Sequence, residues 1–295
     1  MTSRSALVST HVVDGATVRC WTYPAVTRTS SPPPVVVGVH GFRGDHHGLE
    51  RIVAALPDRT IVIPDLPGFG ASSAFGTAAP TPTHHDVPGY ARVIAHITRD
   101  LDVPSTATLL GHSFGSLVAA HDAAARPEAW ARLVLINPIS EPALEGSEAL
   151  LSRAALLFYR VSAVLPERFG VPLLRARLIT DLMSATMTKS PDPALRDFVR
   201  SEHRRYFGGF TSRTALVEAF NASITRTVLD DADRLKLPTL LLAGALDELG
   251  SPASQRALAA RITGARLEVY NDVGHLIHYE SPARAADAIR AFTST

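Results

Sequence analysis

Gly111-His112-Ser113-Phe114-Gly115 directly follows the apolar run TATLL and leads at once into the helical run SLVAAHDAAA. A serine between a buried strand and a helix, with glycines two residues before and two after, has the G-x-S-x-G spacing. Such a turn strains the serine backbone, and the glycines remove side chains that would collide there. The hydroxyl is lifted clear of the sheet's C-terminal edge, and the amides that open the helix face any negative charge developing beside it. The chemistry this suits is nucleophilic attack. It requires a base, because a serine hydroxyl is a poor nucleophile until its proton is removed.

Of the 12 histidines, His275 is the best placed to be that base. It closes the loop Asn271-Asp272-Val273-Gly274-His275, between the strand-like run LEVY and the last helical pattern, at the sheet edge expected for Ser113. His278, three residues on, reads as a surface residue. A third group, a carboxylate, must fix the imidazole tautomer and stabilise the imidazolium. Asp247, in Gly244-Ala245-Leu246-Asp247 just beyond TLLLA, has the position for it; its neighbour Glu248 is the rival. Asp272 is too close in sequence to His275 to approach its ring from the far side.

These residues need a scaffold that brings distant loops to one edge. Residues 6–23 read as a hairpin about Asp14-Gly15. The Pro-rich stretch from Ser30 to Val35 cannot be helix and leads into VVVGV, a run suited to a strand buried on both faces. Similar runs occur at Thr60–Ile63, Ala107–Leu110, Leu133–Ile136, Thr239–Leu242 and Leu267–Val269. Between most of them lie helical patterns, at His47–Leu56, Val87–Leu101, Phe114–Ala125, Ala253–Ile262 and Ala283–Phe292. Strands alternating with helices predict an α/β fold, a mostly parallel doubly wound sheet with an antiparallel edge at its start.

After Ile136 the alternation stops. Helical patterns at Ala149–Val164, Leu173–Met187, Pro193–Tyr206 and Thr211–Ile224 follow without a strand-like run between them. The chain therefore divides into a first core part (1–137), a helical insertion (138–229) and a second core part (230–295).

Composition narrows the function. The 295 residues carry 29 basic and 28 acidic side chains, a net charge of +1, which argues against a phosphate backbone as the main partner. A single cysteine, Cys20, excludes an internal disulfide and Cys-rich metal or redox motifs. The N-terminus has no apolar run of signal-peptide type and no 18 apolar residues run together, so a cytoplasmic protein with a small-molecule substrate is expected.

The order Ser113, Asp247, His275 resembles that of the α/β-hydrolases, and the resemblance extends over nearly the whole chain outside the insertion. His40-Gly41-Phe42-Arg43-Gly44 is similar to that family's HG-x-x-G oxyanion loop. Asp65-Leu66-Pro67-Gly68-Phe69-Gly70-Ala71-Ser72 is similar to its D-x-P-G-x-G-x-S segment, and Gly274-His275 with Glu280-Ser281-Pro282 to its G-H-x-x-x-x-E-x-P ending. The resemblance implies a helical lid for 138–229 and an oxyanion hole formed by the backbone N–H groups of Phe42 and Phe114. It implies no cofactor and no metal. The side chains of these two residues would wall an acyl pocket, although plain core packing is as good a reading for Phe114.

By that resemblance, Ser113 is similar to the nucleophile of the carboxylesterase, lipase and carbon–carbon bond hydrolase branches and unlike that of the branches with an aspartate nucleophile. An apolar acyl or aryl ester is the expected substrate, given the apolar stretch Leu156–Leu165. A carbon–carbon bond hydrolase of ring-cleavage products is the alternative enzyme; against it, AGALDELGSP lacks the tryptophan expected after a W-G strand end in that group. A non-catalytic ligand-binding member of the fold is the alternative from another class. His46-His47 and His84-His85-Asp86 could suggest a metal, but their spacing favours solvated loops. Arg196, Arg200, Arg204 and Arg205 with His203 could face an anionic substrate, but an exposed helix face is the simpler reading.

Overall fold

The computed structural model describes residues 4–27, 32–76, 83–143 and 149–294. Ser30 and Ser31 of the Pro-rich stretch lie outside the described residues. β1 (Leu7–Val13) and β2 (Ala16–Tyr23) form the expected hairpin. Asp14 and Gly15 both have positive φ, 47° and 75°, as a two-residue turn matched to strand twist requires.

The other elements follow in chain order. They are β3 (Val35–Val39), α1 (Glu50–Ala55), β4 (Thr60–Pro64), α2 (Val87–Asp100), β5 (Thr108–His112), α3 (Phe114–Ala125) and β6 (Arg132–Ile136). The insertion holds α4 (Ala149–Val164), α5 (Glu167–Leu174), α6 (Arg177–Met187), α7 (Pro193–Tyr206) and α8 (Arg213–Thr225), with the short α9 (Leu229–Ala232) after them. The chain ends with β7 (Thr239–Gly244), α10 (Pro252–Arg261), β8 (Arg266–Tyr270), α11 (Ile277–Glu280) and α12 (Pro282–Thr293).

One 8-stranded sheet results, in the order β1-β2-β4-β3-β5-β6-β7-β8. β2 is antiparallel to β1 and β4, and all other pairs are parallel. Strand side chains alternate between two cores. Val37, Leu109, Leu133 and Leu241 face α2 and α3, whereas Val36, Leu110, Val134 and Leu242 face α1 and α12. Burial on both faces is why these strands read as continuous apolar runs.

Local rules set many of the ends. Asp86 caps α2, Asp192 caps α7, Ser212 caps α8 and Ser251 caps α10, each accepting a backbone N–H of the first turn. Two expectations need correction. His47–Leu56 is not one helix but a 3-10 turn, His46–Leu49, followed by α1. The pattern Leu173–Met187 is broken at Arg175-Ala176, where the Arg175 side chain leaves for the Phe210 carbonyl (3.0 Å) and ring. Among the described residues, no helix is long and apolar enough to cross a membrane.

Parallel register places the functional loops together. His112 pairs with Ile136 and Ile136 with Leu242, while Gly244 pairs with Tyr270. The loops that follow β5, β6, β7 and β8 therefore leave the same edge side by side.

Candidate active site

Ser113 occupies the turn between β5 and α3 with φ 53° and ψ −120°, a conformation that costs a non-glycine residue about 1–3 kcal/mol. Its glycines are there for contact. A Cβ on Gly111 would lie 2.3 Å from the Gly115 carbonyl oxygen, and one on Gly115 would lie 2.2 Å from that of Val39. The serine is pinned from both sides: its N–H donates to Ile136 O (3.0 Å), and its carbonyl accepts from Ser116 N (2.8 Å).

The structure brings Ser113, His275 and Asp247 together. His275 Nε2 lies 2.7 Å from Ser113 Oγ, and His275 Nδ1 lies 3.0 and 2.9 Å from the two Asp247 carboxylate oxygens. With Nδ1–H donating to the carboxylate, Nε2 presents its lone pair to the serine hydroxyl. All three residues are buried.

Asn137, directly after β6, completes this group. Its Nδ2 donates to Asp247 Oδ2 and to the Gly274 carbonyl, 2.8 Å each, and the Leu249 amide donates to Asp247 Oδ1 (2.8 Å). The sequence reading does not single out Asn137; the available signal was Asn-Pro at a strand end, since asparagine tolerates its φ of 45°. The rival Glu248 is committed elsewhere, to an ion pair with Lys189. Glu280, in the motif beyond His275, accepts the amides of Lys189 (2.7 Å) and Ser190 (2.6 Å) and so ties the insertion to the histidine loop.

Phe42 lies in a turn after β3, closed by the Gly44 amide donating to Gly41 O (3.1 Å). His40 braces that turn. Its Nε2 accepts from the Leu66 amide (2.9 Å), which leaves Nδ1–H to donate to Gly41 O (2.9 Å); burial keeps this imidazole neutral by lowering its pKa. Asp65 holds the neighbouring loop. Burial opposes its ionisation, but the His46 ring and the Ala71 amide keep its carboxyl below the usual carboxylate range. Phe114 is the first residue of α3, so its amide has no acceptor within the helix.

A cavity of about 430 Å³ opens above Ser113, lined by Phe42 and Phe114 from the sheet edge and by Phe158, Ile179, Met183 and Phe220 from the insertion. The Phe114 ring thus belongs both to the core and to the cavity wall.

Several histidines are not where the sequence puts them. His278 is buried, not on the surface: α11 tucks its ring 3.9 Å from that of His112. Burial pushes His112 down to about 3 and His278 well below the ordinary histidine range. His46 and His85 are buried rather than solvated. His46 bonds Asp65 and His47 bonds Asp45, and the rings of Trp21, His46, His47 and Tyr206 lie in a row with centroids 3.8 Å apart, the outer two pairs stacked and the His46–His47 pair tilted. Among the described residues, Asp45, His46 and His47 are the group whose donor atoms, within 4.8 Å of one another, could hold a metal. His84 and His85 both contact Glu218 of α8. His203 is fully buried, stacked 4.0 Å from Phe207. Arg200, Arg204 and Arg205 are exposed and pair with Asp197, Asp181 and Glu202, and they do not line the cavity; Arg196 is exposed as well.

Comparison with known proteins shows the family of the chain. The model of the alpha/beta hydrolase fold matches residues 34–282. The chain belongs to that family. This alpha/beta hydrolase is 29% identical over 273 residues to lipase LipV of Mycobacterium tuberculosis, covering 88% of this chain and 94% of the relative. It is 28% identical over 204 residues to polyketide synthase ThaQ of Burkholderia thailandensis, covering 67% of this chain and spanning only 9% of that protein. Its fold is similar to that of an esterase from Exiguobacterium antarcticum, with a TM-score of 0.75 and 15% identity, covering 99% of this chain and 100% of the other. The alpha/beta hydrolase therefore has a lipase among its relatives.

Proposed function

We propose that this alpha/beta hydrolase is a serine hydrolase that cleaves a carboxylic ester of a small to medium apolar acyl or aryl group. The observation that carries the reading is the chain of contacts from Asp247 through His275 to Ser113 Oγ, closing at 2.7 Å on the floor of an apolar cavity. The names of LipV and of the Exiguobacterium esterase agree with it.

In this mechanism His275 Nε2 takes the Ser113 proton as Oγ attacks the ester carbonyl. The imidazolium is stabilised by Asp247, which Asn137 holds in place. The carbonyl oxygen becomes an oxyanion and is met by the amides of Phe42 and Phe114, a contribution of about 3–4 kcal/mol for each donor. The imidazolium then protonates the leaving alkoxide, and a water activated by the same histidine releases the acid. The helices of 138–229 act as a lid that excludes bulk water and confines the acyl chain.

A series of p-nitrophenyl esters of increasing chain length tests the reading. Turnover is expected for acyl groups that the cavity accommodates. Met183→Trp, which fills the far wall, is expected to raise KM for octanoate esters about tenfold and to leave acetate esters within about twofold. Equal effects on both would show that the insertion does not hold the acyl chain. The carboxylate assignment has its own test. Asp247→Asn should lower kcat by about 10⁴-fold, whereas Glu248→Gln should stay within about tenfold of wild type. The reverse ranking would transfer the role to Glu248.

A further inference from the structure

Arg43 lies in the turn that carries Phe42, and its side chain leaves the sheet domain altogether. It is buried, with 3% of its surface exposed, and among the described residues no carboxylate pairs with it. Its acceptors all belong to the insertion. Nε donates to Phe207 O (3.1 Å), Nη1 to the Tyr159 hydroxyl (3.0 Å) and Nη2 to Leu174 O (2.6 Å). Leu174 ends α5 and Phe207 follows α7, so two helix C-termini point their partial negative charge at the guanidinium. A buried arginine needs such acceptors, because its charge cannot be shed and its donors cannot be left bare.

The backbone of Arg43 is also strained, with φ 62°, a region that a long side chain occupies only when its surroundings impose it. Phe42 and Arg43 are the two central residues of the turn closed by Gly44 N and Gly41 O. Rotation at Arg43 would open that turn and swing the Phe42 amide. The insertion grips the other central residue too: the Phe42 ring lies 5.9 Å from those of both Tyr159 and Phe220, which stack on each other at 3.9 Å.

We propose that Arg43 is a positioning residue through which the helical insertion holds the Phe42 amide in the geometry an oxyanion needs. The insertion then completes the catalytic machinery in addition to walling the cavity. This rests on the serine esterase reading given above. It differs from a wall role in its kinetics. Loss of Arg43 should weaken binding of the tetrahedral state, lowering kcat, with little effect on ground-state binding, measured here as KM.

The test compares wild type, Arg43→Met, Arg43→Lys and Tyr159→Phe with p-nitrophenyl butyrate as substrate and an alkyl trifluoromethyl ketone as inhibitor. In the adduct, Ser113 Oγ bonds to the carbonyl carbon, the serine proton passes to His275 and the carbonyl oxygen becomes an oxyanion, as in ester hydrolysis. Arg43→Met is expected to lower kcat by about 10- to 100-fold, less than the roughly 10²–10³ for outright loss of one oxyanion donor, with KM within about threefold. Affinity for the ketone should fall by the same factor as kcat, and Arg43→Lys should recover part of both. Should Arg43→Met fail to fold, Tyr159→Phe decides. It keeps the ring stack and removes one acceptor, and a loss of about threefold in kcat and in ketone affinity is expected. Unchanged ketone affinity in the folded variants, or a rise in KM alone, would overturn the proposal. Wild type that neither turns over the ester nor binds the ketone would instead overturn the esterase reading, and the proposal with it.

Discussion

Ser113→Ala is expected to lower kcat/KM for an activated ester by on the order of 10⁶-fold, and His275→Ala by nearly as much. The two losses should not add. With His275 Nε2 2.7 Å from Ser113 Oγ, the base and nucleophile act as a unit, and removing either leaves only the contribution of the oxyanion amides and of binding. A fluorophosphonate should label wild type once per chain and fail to label Ser113→Ala. Stoichiometric labelling of the alanine variant, or losses that multiply in the double variant, would remove Ser113 from the role.

The second large effect is on stability. His112 and His203 are pushed down to about 3 by burial, and His278 shifts in the same direction. In the unfolded chain these rings take up protons at the ordinary value of about 6.5. Below that pH the unfolded state binds more protons than the folded one, so stability must fall as pH falls from about 6.5 towards 3. The slope is on the order of 1 kcal/mol per pH unit for each buried histidine, steep against a total stability of about 5–15 kcal/mol.

His203 isolates the effect. Among the described residues neither of its ring nitrogens has a hydrogen-bond partner, and the ring packs against those of Phe207 and Tyr279. His203→Phe keeps an aromatic ring there and removes two bare polar atoms. It should stabilise the fold at pH 7 by about 1–3 kcal/mol and flatten the acid slope by one proton. Urea unfolding between pH 7 and about 4.5, above the range in which most carboxylates protonate, measures both. An unchanged slope would show that His203 is not the buried neutral group described.

What was legible in the chain follows from the range over which each signal acts. The Ser113 turn is local. Gly111 and Gly115 stand within two residues of the strained serine because the backbone contacts at 2.3 and 2.2 Å admit no Cβ, so spacing alone reveals it. Asp247 and His275 are far from Ser113 in sequence but follow strands, and a parallel sheet delivers all its strand C-termini to one edge. Continuous apolar runs alternating with period-3.6 patterns thus sufficed for the sheet and for the edge where chemistry is proposed.

Residue type and spacing could not settle partners that meet only after packing. Glu248 stays a rival to Asp247 until Lys189, from the insertion, claims it and Asn137, from another strand end, claims Asp247. His203 lies in a charged helical run, and its burial depends on α7 meeting Tyr279 of α11. The sequence places Arg43 in the HG-x-x-G loop but is silent about its acceptors, Tyr159, Leu174 and Phe207, which lie 116, 131 and 164 residues away. A helical pattern states which face of a helix is apolar and is silent about what that face will cover. Only the tertiary structure decided those contacts, because the energy of a buried charge or an unpartnered ring is set by neighbours that local sequence does not encode.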